Sequence, residues 1–170
     1  MNAYIIDTSS LISAYTIDFP RNEDNRDFWD WFINLTGVER IYIPEKVMEE
    51  LKEKDDGLSS FLEGMNNLII YKSSLCANHF NNVLNAYHAT TQIDLRELAR
   101  RADFYVIASA CALSCDSVSP IAVTSEKSGP DATRVWKKKI PDICKLLSLK
   151  HISYSRFLWD MLSKYPNNTH

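Results

Sequence analysis

The chain has 170 residues, 45% of them hydrophobic and 24% charged, with a net charge of −3. That is long enough for one domain to bury a core without staples. The balance excludes a disordered polyelectrolyte, and no apolar run reaches the roughly 18–20 residues that span a bilayer. No basic-then-apolar leader opens the chain, so a cytoplasmic protein with no membrane partner is expected, with one domain over 1–165 and a polar tail over 166–170.

The opening stretch sets the frame. Ala3-Tyr4-Ile5-Ile6 is a short apolar run rich in β-branched and aromatic residues, which predicts a buried strand. Asp7 stops it, Thr8, Ser9 and Ser10 are N-capping types, and Leu11-Ile12 restarts an apolar pattern. Asp7 is therefore expected where a central strand gives way to a helix. In open α/β sheets ligands bind outside the carboxyl ends of the strands. A carboxylate there is placed for metal or acid–base work, or simply for capping.

Asp27 to Thr36 reads as an amphipathic helix with Phe28, Trp31, Phe32 and Leu35 on one stripe, and Gly37 as its C′ stop. One helical stripe marks these aromatics as core. Arg40–Ile43 is a short strand, and Pro44 suits the opening of a helix over Glu45–Lys54. At about 100° per residue, with Val47 at zero, Leu51 falls near 40°, Glu50 near 300° and Glu49 near 200°. Glu50 borders the buried stripe, and Glu49 faces water.

Leu58 to Met65 predicts a short helix, Leu68–Tyr71 a strand, and Ala77–Tyr87 a helix with Phe80, Val83, Leu84 and Tyr87 in register. A long helical pattern then runs from Asp94 to Leu113 through Leu95, Leu98, Ala102, Val106 and Ala110. Asp103 borders its apolar stripe. An acid there is unusual unless paired, capping or metal-bound. Pro120–Val123 is a second buried strand, and Thr124-Ser125-Glu126 repeats the opening order of strand, hydroxyls and carboxylate. Ile140-Pro141-Asp142 starts a helix in which Asp142 favours the dipole. Lys150–Ser153 reads as an edge strand and Arg156–Tyr165 as a closing helix. The result is an α/β chain without repeats or low-complexity linkers.

Cys76, Cys111, Cys115 and Cys144 form no Cys-x-x-Cys pair and have no histidine at ligand spacing, so buried free thiols are expected rather than zinc. Two basic clusters stand out, Arg96/Arg100/Arg101 and Arg134/Lys137/Lys138/Lys139. Each reads as a solvated face or, if it flanks the Asp7 crevice, as a phosphate-binding one; Arg100, Arg101, Lys137 and Lys138 are the RNA-binding candidates.

The acids that survive this sorting are Asp7, Glu50, Asp103 and Glu126, with Asp142 in reserve. Converging carboxylates repel unless a cation holds them, and oxygen-only ligands select hard ions such as Mg²⁺ or Mn²⁺. Such a site hydrolyses phosphodiesters with a metal-generated hydroxide. A dehalogenase-type phosphatase needs an acid where Ser9 stands, and Glu126-Lys127 is only a faint echo of a phosphoacceptor receiver. No P-loop, dinucleotide turn or nucleophile elbow is present.

With these residues in order the chain resembles the PIN-domain nucleases, in particular VapC-like ribonuclease toxins. The matching pieces are Ile6-Asp7-Thr8-Ser9-Ser10-Leu11-Ile12, Ile43-Pro44 through Glu50-Leu51, Ala102-Asp103 through Ile107-Ala108, and Val123-Thr124-Ser125-Glu126. Ile140-Pro141-Asp142-Ile143-Cys144 is similar to one PIN-like subfamily. The resemblance implies an α/β/α sandwich around a mainly parallel sheet and Mg²⁺- or Mn²⁺-dependent cleavage of single-stranded RNA. It assigns Asp7 and Asp103 as principal metal ligands, Glu50 to a second ion or to water, and Glu126 or Asp142 to complete the set. Thr8, Ser9 and Thr124 would aim the carboxylates. A co-encoded antitoxin and a homodimer are implied as partners. The family's usual Asp after Val-Thr-x is Glu126 here, one methylene longer, so the choice between Glu126 and Asp142 stays open. An inert PIN-like module for RNA or protein binding is the alternative.

Overall fold

The computed structural model describes residues 2–54, 56–88, 95–115, 118–129 and 138–166. Its centre is strand β1 (Asn2–Ile6), in which every residue after Asn2 is buried. β1 pairs in parallel with β2 (Arg40–Pro44) on one side and with β4 (Ser119–Thr124) on the other. β3 (Ile69–Tyr71) adds outside β2 and β5 (Lys150–Ser153) outside β4, giving the order β3-β2-β1-β4-β5, all parallel. Parallel neighbours need crossover connections, and these carry the helices onto both faces. The fold is a three-layer α/β/α sandwich.

On one face α2 (Arg26–Val38) buries Phe28, Trp29, Trp31, Phe32 and Leu35. The closing helix α9 (Tyr154–Lys164) joins it through Trp31 Nε1, which donates to the Tyr165 carbonyl at 2.8 Å, and through an ion pair of Lys164 with Glu39. Phe157 of α9 meets Tyr4 of β1 with ring centroids 5.2 Å apart. Strand alternation sends Ile5 to the other face. There α7 (Ala102–Leu113) is buried along almost its whole surface, with Phe104 through Leu113 all in the core. Small Ala108, Ala110 and Ala112 are among those buried residues, and side chains of that size let a helix lie close to a sheet.

The elements match the sequence reading with instructive shifts. Gly37 does not stop α2, which runs on to Val38. A Cβ at Gly37 would come to 3.1 Å from Asn67 Nδ2, so this glycine serves close approach rather than termination. The helical pattern after Asp94 is two helices, α6 (Leu95–Leu98) and α7, broken at Arg100-Arg101; Asp94 itself lies outside the described residues. The short helix expected over Leu58–Met65 is α4 (Asp56–Glu63), and Ala77–Tyr87 begins as a 3₁₀ stretch over Ser73–His79 before α5 (Phe80–His88). Cys76, Cys111 and Cys144 are buried free thiols, but Cys115 is exposed past the end of α7. No helix among the described residues is long and apolar enough to cross a membrane.

The central strand carries the core's load, so truncation there is costly. Ile5→Ala, at a fully buried position, should lower unfolding free energy by about 3–4 kcal/mol. Urea denaturation measures this. A loss under about 1 kcal/mol would mean β1 is not the packed centre.

Candidate metal-dependent active site

The switch point of the sheet lies between β1 and β4, because the chain leaves β1 toward β2 and returns later on its other side. Asp7 sits there. Its backbone N–H continues the ladder to the Val123 carbonyl at 3.1 Å, and its extended conformation ends the strand. Asp7 is also the N-cap of α1 (Thr8–Ser13): Oδ1 accepts the Ser10 N–H at 2.8 Å. The cap is thus Asp7 itself, and Thr8, Ser9 and Ser10 are helical. Capping and a functional role are therefore not exclusive.

The second carboxylate oxygen, Oδ2, accepts from Thr124 Oγ1 at 2.7 Å and from Ser9 Oγ at 2.8 Å. Asp7 is 3% exposed. Burial raises its proton affinity above the ordinary value of 3.8, and the hydrogen bonds from Ser10, Thr124 and Ser9 pull the other way. All its hydrogen-bonding partners are neutral. A carboxylate has about four acceptor sites, and these bonds use three.

Three further candidate acids stand on separate elements toward the same edge of the sheet. Glu50, half-buried on α3 (Glu45–Lys54), accepts from Thr8 Oγ1 through Oε2 at 2.6 Å, which ties α3 to the start of α1. Asp103 stands in the first turn of α7 with a side chain 23% exposed. Burial raises its proton affinity, the charge of Glu126 raises it further and that of Asp7 adds to this, while Arg101 and Lys139 counter them. Asp7, Asp103 and Glu126 therefore share one electrostatic neighbourhood. Glu126 is oriented twice by backbone: its N–H donates to Thr124 Oγ1 at 3.0 Å, and Oε2 accepts the Ile140 N–H at 3.2 Å. Thr124 thus holds both Asp7 and the turn that presents Glu126.

Asp142, like Asp7, serves a helix start. Its Oδ2 accepts the N–H of Lys139 at 3.0 Å and of Gly129 at 3.5 Å, at the start of α8 (Ile140–Leu146). It secures a helix N-terminus and the passing loop. Lys138 is corrected as a surface candidate: it is 3% exposed, and its amine donates to the Ala86 carbonyl at 3.4 Å. Burial lowers its proton affinity. Lys137 and Arg134 lie outside the described residues. Arg100 and Arg101 line a cleft of about 510 Å³ with Lys46, Glu49, Glu50 and Asp103, so that basic pair opens directly beside the acids.

What sequence reasoning missed is that cations pair with the candidate acids. Arg101 Nη2 meets Asp103 Oδ2 at 2.8 Å, Lys139 Nζ meets Glu126 Oε1 at 2.7 Å, and Lys54 pairs with Glu50 Oε1. Arg101 and Lys139 belong to clusters visible in the sequence, but pairing could not be read from composition. As arranged, no three His, Cys, Asp or Glu side chains among the described residues stand ready to hold one ion. The donor chemistry nevertheless suits a hard divalent cation, since every acid offers oxygen alone.

Comparison with known proteins settles the family. A domain of unknown function, DUF4411, matches residues 4–164. The chain belongs to this family. No curated protein matches it. The DUF4411 fold is similar to that in the structure of VapBC2 from Rickettsia felis bound to a DNA fragment from their promoter, with TM-score 0.54 and 16% identity over 90% of this chain and 98% of that one. The PIN domain of T. brucei RRP44 is similar at TM-score 0.49 and 13% identity, covering 96% of this chain and 82% of that one. The α/β fold with an all-parallel five-stranded sheet is PIN-like, as the sequence motifs implied.

Two predictions follow from the geometry. The folded-state proton affinity of Asp7 is raised, so the stability tied to it is complete below the unfolded value of 3.8 and lost as pH rises through the folded value. Asp7→Asn keeps the cap and cannot ionise; in EDTA it should melt above wild type at pH 7, with the gap closing as pH falls through the raised folded value toward 3.8. A gap that widens toward low pH would reverse the sign. Asp142→Ala should cost about 1 kcal/mol of stability by removing a helix cap, read by urea titration, without changing Mn²⁺ affinity.

Proposed function

We propose that this DUF4411 protein is a metal-dependent endoribonuclease that hydrolyses phosphodiester bonds in single-stranded RNA. The observation that carries this reading is Asp7: a carboxylate buried at the switch point of a PIN-like sheet, held by three neutral donors and close enough to Asp103 for its charge to be felt there. Keeping an acid there costs stability, and a purely structural cap has no need of other carboxylates beside it.

Asp7 and Asp103 would be the principal ligands of Mg²⁺ or Mn²⁺, with Glu126 and Glu50 at its margins. Such an ion lowers the pKa of bound water and offsets charge on the phosphate. Ser9 and Thr124 fix the Asp7 carboxylate, so its oxygens need no reorganisation as charge develops. Thr8 performs the same service for Glu50. Arg100 and Lys46 line the adjoining cleft and supply positive charge for the RNA backbone. The cleft also carries Glu53 and Glu49, which is paired with Lys46, so its field is mixed.

The solved VapBC2 pair makes a toxin–antitoxin role the natural biological setting. In that setting a co-encoded protein would cover the cleft, and a homodimer fits the same reading. The inert-module alternative draws on one observation: Glu50, Asp103 and Glu126 already have cationic partners. Asp7 has only neutral hydrogen-bond partners, and that favours the enzyme.

Purified protein incubated with a mixed single-stranded RNA pool should cleave in Mn²⁺ and be silent in EDTA. Asp7→Asn should lower the rate by about a hundredfold or more, the scale of losing a preorganised charge partner. Thr124→Val, which removes only the group that aims Asp7, should lower it about tenfold. A wild type that neither binds Mn²⁺ nor cleaves any RNA would leave the inert module, whereas Mn²⁺ binding without cleavage would point to a restricted target.

A further inference from the structure

The acids of the site are not equally approachable. Three of them carry a basic side chain: Lys54 on Glu50, Arg101 on Asp103 and Lys139 on Glu126. The cations come from three separate places in the fold, the end of α3, the residue before α7 and the residue before α8. In each of the latter two pairs the acid is the better-buried partner. Side-chain exposure is 23% for Asp103 against 29% for Arg101, and 16% for Glu126 against 40% for Lys139. Lys139, the more exposed of the two cations, can leave for solvent at little cost, because exposed ion pairs are weak, whereas Arg101 is only slightly more exposed than Asp103 and its release costs more. The acids cannot follow. Glu126 stays fixed by the Ile140 N–H and the Thr124-held turn, and Asp103 by the first turn of α7.

We propose that Arg101 and Lys139 are built-in counterions that a divalent metal must displace, so that they set the metal affinity of this site. This rests on the metal-dependent reading above. The two side chains stand in for the ion's positive charge: they offset the repulsion among Asp7, Asp103 and Glu126 and keep the acids of the folded chain from driving one another apart. With both pairs in place, no three acids among the described residues are arranged around one point. Metal entry then exchanges one cation for another instead of filling a bare anionic pocket. Affinity is lower than the acids alone would give, and occupancy depends on the available concentration of divalent ion. Arg101, once released, stays at the cleft that Arg100 and Lys46 also line.

Calorimetric titration of Mn²⁺ at fixed ionic strength tests this without any RNA. Arg101→Gln and Lys139→Gln each remove one competing charge close to the ligands and should tighten Mn²⁺ binding by about tenfold. Arg101→Lys keeps the charge and should stay within about threefold of wild type, whereas Asp7→Asn should bind more weakly than wild type. Melting curves give the second readout. In EDTA Arg101→Gln should melt below wild type, and Mn²⁺ should raise its Tm by more than it raises that of wild type. Two variants on different elements guard against one that fails to fold. If Asp7→Asn weakens binding but both Gln variants match wild type or bind more weakly, the pairs are ordinary structural salt bridges and the proposal fails while the metal reading stands. If neither wild type nor either Gln variant takes up Mn²⁺, the metal reading falls and takes the proposal with it.

Discussion

The arrangement turns on one buried carboxylate. Asp7 lies at the end of the innermost strand, where water is excluded, and its charge is tolerated because three donors converge on it. Those donors come from two directions. Ser9 and Ser10 belong to the helix that Asp7 itself caps, and Thr124 belongs to the neighbouring strand. Backbone geometry at the switch point, the start of α1 and the register of β4 on β1 are thereby locked to one side chain.

The same parallel topology explains why the other acids arrive. Parallel strands all point their carboxyl ends one way, so β1, β2 and β4 deliver Asp7, the helix bearing Glu50, and Glu126 to one edge. The helix α7 precedes β4 and runs back across the sheet, which brings its first turn and Asp103 to that edge as well. Four elements far apart in the chain therefore present acids toward one edge of the sheet. Their mutual repulsion is the cost of the meeting, and the Arg101 and Lys139 pairs offset part of it.

Much of this was legible beforehand. The strand–acid–hydroxyl order of Ile6-Asp7-Thr8 and the strand–hydroxyl–acid order of Val123-Thr124-Ser125-Glu126 announce strand ends, because β-branched runs stop where capping residues begin. The face assignment of Glu50 over Glu49 needed only helical periodicity, and the structure bears it out in their burial. Other features did not show. Asp142 has the same residue type and helix-start position as a functional acid, yet its carboxylate turns back to the Lys139 N–H. Lys138 sits in a basic run but is buried beneath Ala86. Periodicity ran through Arg100-Arg101 without registering the break between α6 and α7.

The sequence by itself determined the elements, their order and the residue types available at each strand end, since these depend on local propensity and on patterns a few residues long. Only the tertiary structure decided which acids share a neighbourhood, which are spent on caps and which cations stand against them. Those outcomes depend on contacts such as Thr124 with Asp7, 117 positions apart, and on whether a side chain turns inward or back on its own helix. No local pattern encodes either choice, because both follow from how the crossover connections stack the layers.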